Sequence, residues 1–330
     1  RWYPAVVYYY PVFYYLDLYL YKVVTLLFIL SNIGVFGYFM YVTTSSRSAG
    51  LIAALLPPVF FQLRFYHDPM LSYYFLMQVE FLLIVLSLTF FTLYLRGDNN
   101  RYLLGSLATY ALSMLVYEAF YGFWVMHCVI AYYHFGRNQL NKAVRAVSPF
   151  LLLFVLNTCL ILLIRHIFVV QYEGIRLNFV FTDWLQAFLK QVVAAVPLSY
   201  YALSGALHNT VEYARVYFAN DVFNLFCLCS IAWLFASIFC LAARGTNPST
   251  NLKPLIVMGL GFWILPAPVV TLSAKYQREL TWGLGYLPVY VSCFGLMMLA
   301  TFMIMQVYVG LGNLGNRVRT GLMVGIGAVI

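Results

Sequence analysis

The residues best suited to chemistry lie in the segment RFYHDP at residues 64–69, where an arginine, a histidine and an aspartate share one short turn. An aspartate or a histidine can take a proton from a hydroxyl, and an arginine can hold a phosphate through two parallel N–H donors. We therefore predict that Asp68 and His67 are catalytic and that Arg64 faces a phosphate. Because Pro69 precedes an apolar run, capping of a helix start is the alternative role for Asp68.

Two further carboxylates lie beside or within apolar runs. Glu118 stands in LVYEAFYGF, between two short apolar segments, and we predict a third catalytic residue there; capping at the membrane interface is the alternative. Glu80 lies inside an otherwise apolar run, where a carboxylate is costly and is expected to face a partner or a wet cavity. We predict that Glu80 contributes to substrate binding, with a structural hydrogen bond as the alternative.

Cations that could bind a charged headgroup lie at both ends of the sequence. Lys275 and Arg278 are three residues apart in KYQRE, a spacing that places both charges on one helical face. Arginine suits bidentate phosphate contact, whereas lysine acts as a point charge. We predict that these two residues, together with Arg1, bind substrate; an exposed basic loop is the alternative for Lys275 and Arg278.

The sequence gives little support to metal or redox chemistry. His127 and His134 are seven apart, but no second pair at matching depth suggests haem, and we predict no metal ligands. The six cysteines lie in apolar runs without a C-x-x-C motif, which is typical of buried, unreactive thiols. Phosphate-loop, zinc-protease and serine-hydrolase motifs are also missing, which argues against those three activities.

The elements that must position these residues are membrane helices. The chain has 330 residues, of which 64% are hydrophobic and 9% charged, against roughly 25% charged in soluble domains. We predict a single all-α domain, a polytopic transmembrane bundle of about 9–11 spans, because apolar runs of about 17–25 residues recur. The predicted spans are residues 20–41, 48–62, 72–95, 102–117, 121–134, 149–170, 221–241, 254–274 and 287–309, with a further one from residue 321.

Two segments differ from these spans. Residues 1–19 are rich in tyrosine and broken by prolines, which predicts a helix lying in the interface. Residues 171–220 are predicted to be external or re-entrant because the stretch 184–203 is amphipathic; a full span is the alternative. The chain begins at Arg1 rather than Met and stops within an apolar run, so we expect it to be part of a longer protein.

The loop charges predict an orientation. One set of short loops is basic, and by the positive-inside rule it faces the cytoplasm. Nine of the ten acidic residues belong to the opposite, extracytoplasmic half. The net charge of +9 therefore follows from membrane topology, and nucleic acid is not an expected partner. The basic residues of the cytoplasmic loops are Arg47, Arg96, Arg101, Arg137, Lys142, Arg145, Arg244, Lys253, Arg317 and Arg319.

Residues 1–135 resemble the GT-C superfamily of membrane glycosyltransferases, especially its O-mannosyltransferase-like members. In that family an R-[FW]-x-P segment opens the latter part of the first external loop, which RWYP at residues 1–4 resembles, and a span with a central asparagine follows, as in LSNIGVFGYF. A basic turn with a small-residue span comes next, as in SSRSAGLIAALLPP. The external loop RFYHDPMLSY and the acid-bearing break LVYEAFYGF complete the resemblance. Residues 136–330 match only as additional spans.

The resemblance implies an activity. Such enzymes transfer a sugar from a polyprenyl-phosphate donor on the extracytoplasmic face, with an external-loop carboxylate as the base that activates the acceptor hydroxyl. The leaving phosphate is met by arginine, by lysine or by a divalent cation. The family's best-known catalytic aspartate belongs to the part of the first external loop that would precede Arg1, so we expect it outside this sequence.

Two other functions stay open at this point. A flippase or transporter of lipid-linked sugars would gather polar residues at mid-bilayer, whereas an enzyme would gather them at the outer interface. A non-catalytic membrane subunit would show neither and would present an apolar flank to neighbouring proteins. The expected location is the bacterial cytoplasmic (inner) membrane, and the expected partners are the lipid-linked sugar, membrane lipids and other membrane proteins.

Overall fold

A computed structural model describes residues 18–62, 64, 76–167, 176–204, 211, 236, 238 and 252–310. Within these ranges every regular element is helical, and an isolated antiparallel bridge joins Leu177 to Ser273. The predicted all-α bundle is therefore confirmed. The interfacial helix predicted at residues 1–19 falls almost entirely outside the described residues, as do the spans predicted at 221–241 and from 321.

The first part of the bundle is built around one long helix and its short neighbours. Helix α1 (Leu18–Thr44) packs against α2 (Arg47–Leu55) and α4 (Leu76–Gly97). Helix α2 begins after Ser46, whose hydroxyl accepts a hydrogen bond from the backbone N–H of Ala49 at 3.3 Å. The next pair, α4 and α5, is joined by a tight turn and packs along its length. These helices are α1 (Leu18–Thr44), α2 (Arg47–Leu55), α3 (Pro57–Phe60), α4 (Leu76–Gly97) and α5 (Asn100–Val116).

The middle part begins with two short elements. A 3-10 helix at Glu118–Phe123 leads into α6 (Trp124–Phe135), which packs against both α7 (Leu140–Ile167) and α10 (Lys253–Ile264). A second 3-10 helix, Arg137–Gln139, precedes α7 (Leu140–Ile167). Much of the outer surface of α7 is apolar: Leu152 is 58% exposed and Leu162 60%. Hydrocarbon would cover such a face, which in water would be a large exposed apolar patch.

The last part packs short helices over one end of a long helical pair. Helices α10 and α13 lie side by side, and α8 contacts α11, α12 and α13. Helix α8 has 13 residues and α9 has five, so the stretch 184–203 does not form the continuous span considered as an alternative. The helices are α8 (Phe181–Val193), α9 (Ser199–Leu203), α10 (Lys253–Ile264), α11 (Ala267–Thr271), α12 (Ala274–Glu279) and α13 (Val289–Gly310).

Among the residues that the structure describes, five helical segments are long and apolar enough to cross a membrane. They confirm the membrane-spanning helical character of the chain, and each overlaps a predicted span. Shorter helices occupy three other predicted spans: α2 and α3 lie within 48–62, α5 lies at 102–117, and α6 lies at 121–134. The five segments are Lys22–Thr44, Leu76–Gly97, Arg137–Ile164, Lys253–Thr271 and Val289–Gly310.

Aromatic rings fill the core between α1, α4 and α13. The ring of Phe81 stacks on that of Phe294 with centroids 3.8 Å apart, and Phe36 meets Phe294 edge-on at 4.9 Å. Because offset and edge-to-face ring pairs are favourable beyond their buried area, this cluster fixes how the three helices face one another. The packed aromatic core therefore also fixes the positions of the polar residues that these helices carry.

Candidate functional site

Three of the predicted site residues come from neighbouring elements at one end of the bundle. The 3-10 helix that starts at Glu118 packs on α11, and α11 packs on α12, which carries Lys275 and Arg278. Helix α8 also contacts α11 and α12. We call this region, formed by the 3-10 helix Glu118–Phe123, α8, α11 and α12, the α11 end. Glu118 is half-buried there.

The two cations of α12 have partners within their own helix. The Nζ of Lys275 lies 3.9 Å from Oε2 of Glu279, and the Nε of Arg278 donates to the carbonyl of Ala274 at 3.3 Å. Arg278 is exposed and Lys275 half-buried. An exposed i,i+4 ion pair contributes little stability, roughly 0.3–0.5 kcal/mol, so these cations can exchange partners readily.

Arg64 is buried, and its guanidinium binds backbone. It donates to the carbonyl of Leu284 and, at 2.6 Å, to the carbonyl of Ala194, the residue that follows α8. A cation at this position satisfies a free helix-terminal carbonyl and suits the negative end of the helix dipole. Its guanidinium carbon also lies 6.0 Å from the centre of the Tyr200 ring. The predicted phosphate contact of Arg64 stays a prediction, and the visible role is to hold residues 176–204.

Two buried glutamines share this positioning role. Gln62 donates to the carbonyl of Val196 at 2.7 Å and accepts from the N–H of Tyr200 at 2.9 Å. Gln191 accepts from the N–H of Tyr286 at 2.8 Å and donates to the carbonyl of the same residue at 3.3 Å. Sequence reasoning missed both residues, although an amide inside an apolar run is a signal for such a contact, because a buried amide must find partners.

Glu80 lies in α4, within the predicted span 72–95, and is fully buried. Neither of its carboxyl oxygens has a hydrogen-bond partner among the residues that the structure describes. Two residues earlier, the carbonyl of Gln78 accepts from Nδ2 of Asn32 at 3.0 Å, and the same Nδ2 lies 3.0 Å from the hydroxyl of Tyr290. Polar groups therefore enter the bundle interior on more than one helix.

A second buried polar cluster joins α4, α5 and α6. The hydroxyl of Ser87 lies 3.0 Å from Nε2 of His127 and 3.1 Å from the hydroxyl of Ser106, which donates to the carbonyl of Ser87 at 2.7 Å. Ser87 follows Glu80 by seven residues, so both lie on one face of α4. From the sequence, His127 is considered only as a possible haem ligand. Ser87 and Ser106 are not predicted to interact, because a serine in an apolar helix does not by itself indicate a partner.

The remaining predicted residues and partners are outside what the structure describes. Arg1, His67 and Asp68 lie outside the described residues. Within the described ranges, no three His, Cys, Asp or Glu side chains gather in a way that could hold a metal ion. The fold and these sites define a helical membrane protein with polar groups at the α11 end and in its core. The chain matches no protein-family model, no curated protein and no solved structure.

Proposed function

We propose that this protein is a membrane glycosyltransferase that moves a sugar from a polyprenyl-phosphate donor to an acceptor on the extracytoplasmic face of a bacterial cytoplasmic membrane. The observation that carries the proposal is the packing of the Glu118 segment and of α12 on the same helix, α11. A carboxylate and two cations thus come from neighbouring elements. They do so at the end of the bundle that the charge pattern predicts to face outwards.

The proposed reaction uses these groups in complementary roles. The acceptor hydroxyl attacks the anomeric carbon of the sugar, the bond from that carbon to the phosphate oxygen breaks, and polyprenyl phosphate leaves. A carboxylate, Asp68 or Glu118, takes the hydroxyl proton, and His67 lies beside Asp68 in the sequence to assist. The leaving phosphate gains negative charge, which Lys275 and Arg278 stabilise, with Arg1 as a further contact. A divalent cation is the alternative source of that positive charge.

The test is sugar transfer from labelled polyprenyl-phosphate donors by full-length protein in liposomes. Glu118→Gln and Asp68→Asn remove one carboxylate each, and the matched control is Asp98→Asn, an exposed acid just past α4 and outside the α11 end. We expect at least one site variant to lose about 100-fold in kcat while the control keeps its rate, since general-base catalysis contributes about 10²–10⁴-fold. Unchanged rates in both site variants would remove these carboxylates from the mechanism. Absence of transfer by the unaltered protein across a broad donor panel would contradict the proposal.

A second candidate function is translocation of a lipid-linked sugar, and Glu80 is the observation that favours it. A buried carboxylate within a span, without a hydrogen-bond partner in the described part of the chain, is typical of transport pathways and proton relays. The test is flipping of a fluorescent lipid-linked sugar in proteoliposomes, with Glu80→Gln as the variant and Asp183→Asn, an exposed acid in the first turn of α8, as the control. Translocation lost only in Glu80→Gln, without sugar transfer by the unaltered protein, would favour transport.

A further inference from the structure

A cavity of about 700 Å³ opens at the opposite end of the bundle from α11. It lies between the end of α4, the start of α5, the end of α6 and the first turns of α7. We call this region the basic end. Its size falls in the range of ligand-binding pockets, about 300–1,000 Å³. The residues that decide its chemistry are Lys142, Arg145, Asp98, Leu95, Leu103 and Phe135.

The polar wall of the cavity carries net positive charge. Lys142 and Arg145 are three residues apart on α7, which places both on one face, and Asp98 supplies the acid of the wall. Neither cation forms an ion pair within the ranges that the structure describes. An arginine fork beside a lysine point charge is well suited to phosphate. The cavity is therefore complementary to a phosphate anion rather than to a neutral group.

The opposite wall is apolar and leads to a hydrophobic surface. Leu95, Leu103 and Phe135 line it, and beyond the cavity α7 exposes apolar side chains that include Leu152 at 58% and Leu156 at 57%. Inorganic phosphate has no apolar part that could contact this wall. A lipid has both parts: its headgroup can contact the cations while its acyl chains lie along the exposed face of α7. Basic pockets between membrane helices on the cytoplasmic side bind anionic headgroups in this way.

We infer that the cavity at the basic end binds the phosphate of an anionic lipid headgroup, with Lys142 and Arg145 as the phosphate contacts. This site does not rest on the proposed sugar transfer. Leu103, near the start of α5, and Glu118, just past its end, are separated by about 22 Å along the helix axis. The lipid bound here belongs to the leaflet on the basic side of the membrane, which the charge pattern predicts to be cytoplasmic.

The experiment measures lipid affinity directly. Full-length protein in detergent is titrated with fluorescent phosphatidate, and with phosphatidylcholine carrying the same label, at about 0.15 M ionic strength, where the Debye length is about 8 Å. The site variant is Lys142→Gln/Arg145→Gln. The matched control is Arg47→Gln/Arg101→Gln, which removes the same charge from exposed positions at the same end but outside the cavity wall.

The expected result is selective. Unaltered protein should prefer phosphatidate, the site variant should bind it roughly thirtyfold more weakly, and the control should stay within about threefold. Equal weakening in both double variants, or no preference for phosphatidate, would overturn the site. Inorganic phosphate that competes at the affinity of the lipid would overturn the lipid as its source, and failure of inorganic phosphate to compete would support the lipid.

A single variant keeps the proposal testable if the double site variant does not fold. Asp98 has φ of 47°, a left-handed conformation that asparagine tolerates, so Asp98→Asn should preserve the turn. It removes the acid from the wall and should tighten phosphatidate binding about fivefold. Unchanged or weaker binding in Asp98→Asn would contradict a phosphate in this cavity.

Discussion

The hydroxyl of Ser87 and Nε2 of His127 lie 3.0 Å apart inside the bundle, and both side chains are shielded from solvent. This contact joins α4 to α6, and Ser106 joins α5 to the same point. The imidazole also stacks on the ring of Phe150 from α7, with centroids 3.9 Å apart. The cluster around His127 therefore connects four helices, α4, α5, α6 and α7, through buried contacts.

We expect Ser87 and His127 to be energetically coupled. In a double-mutant cycle of Ser87→Ala and His127→Phe, the coupling free energy should be about 0.6 kcal/mol and at most about 1.7 kcal/mol, as found for hydrogen bonds between membrane helices. The measurement is unfolding by denaturing detergent. Pairing His127→Phe with Ser148→Ala, whose exposed hydroxyl bonds within its own helix, serves as the control and should be additive. Additivity in the Ser87 cycle would contradict the coupling.

We expect Glu80→Leu to stabilise the fold while it removes function. A buried polar group without a hydrogen-bond partner costs about 1–3 kcal/mol, so an apolar side chain at this position should raise the midpoint of unfolding. The control Ile84→Leu, one turn further along the same face, should change stability little. Sugar transfer and lipid flipping are then assayed on the same samples. A loss of stability in Glu80→Leu would show that the carboxyl is held by a partner.

We expect Gly50→Ala to separate α1 from α2. A methyl group at Gly50 would lie 2.6 Å from the carbonyl oxygen of Gly37. Because that oxygen belongs to the backbone, no side-chain rotation can relieve the clash. Overpacking of this kind costs about 1–3 kcal/mol. Gly34→Ala on the open face of α1 is the control, since nothing lies within 4 Å of its added methyl. Equal stability of the two variants would contradict this close approach.

We expect Arg64→Met to loosen the segment 176–204. Loss of the guanidinium leaves the carbonyls of Ala194 and Leu284 without a charged donor, and such hydrogen bonds contribute about 1.5–3 kcal/mol each. The measurement is limited proteolysis or hydrogen exchange within residues 176–204. The control is Arg137→Met, an exposed arginine at the other end of the bundle. If Arg64→Met changes substrate affinity without changing protection of this segment, the capping role is wrong.

The sequence predicted the helical membrane character well, and it placed long spans close to where the structure has them. The predicted span 72–95 corresponds to α4 at Leu76–Gly97, and the span 287–309 to α13 at Val289–Gly310. It also placed Glu80 inside a span, where the structure buries it completely. It was less successful where helices are short: the span expected at 121–134 holds a 3-10 helix followed by the 12 residues of α6.

Helical membrane character follows from the sequence by itself because run length, apolar content and loop charge are local properties of a segment. The partners of the polar residues depend instead on which helices pack together and in which register. Arg64 meets carbonyls 130 and 220 residues further along the chain, and Ser87 meets a histidine 40 residues away. Such contacts form only once the aromatic core has set the helix faces, so only the tertiary structure decided that Arg64 caps a helix and that His127 binds serine.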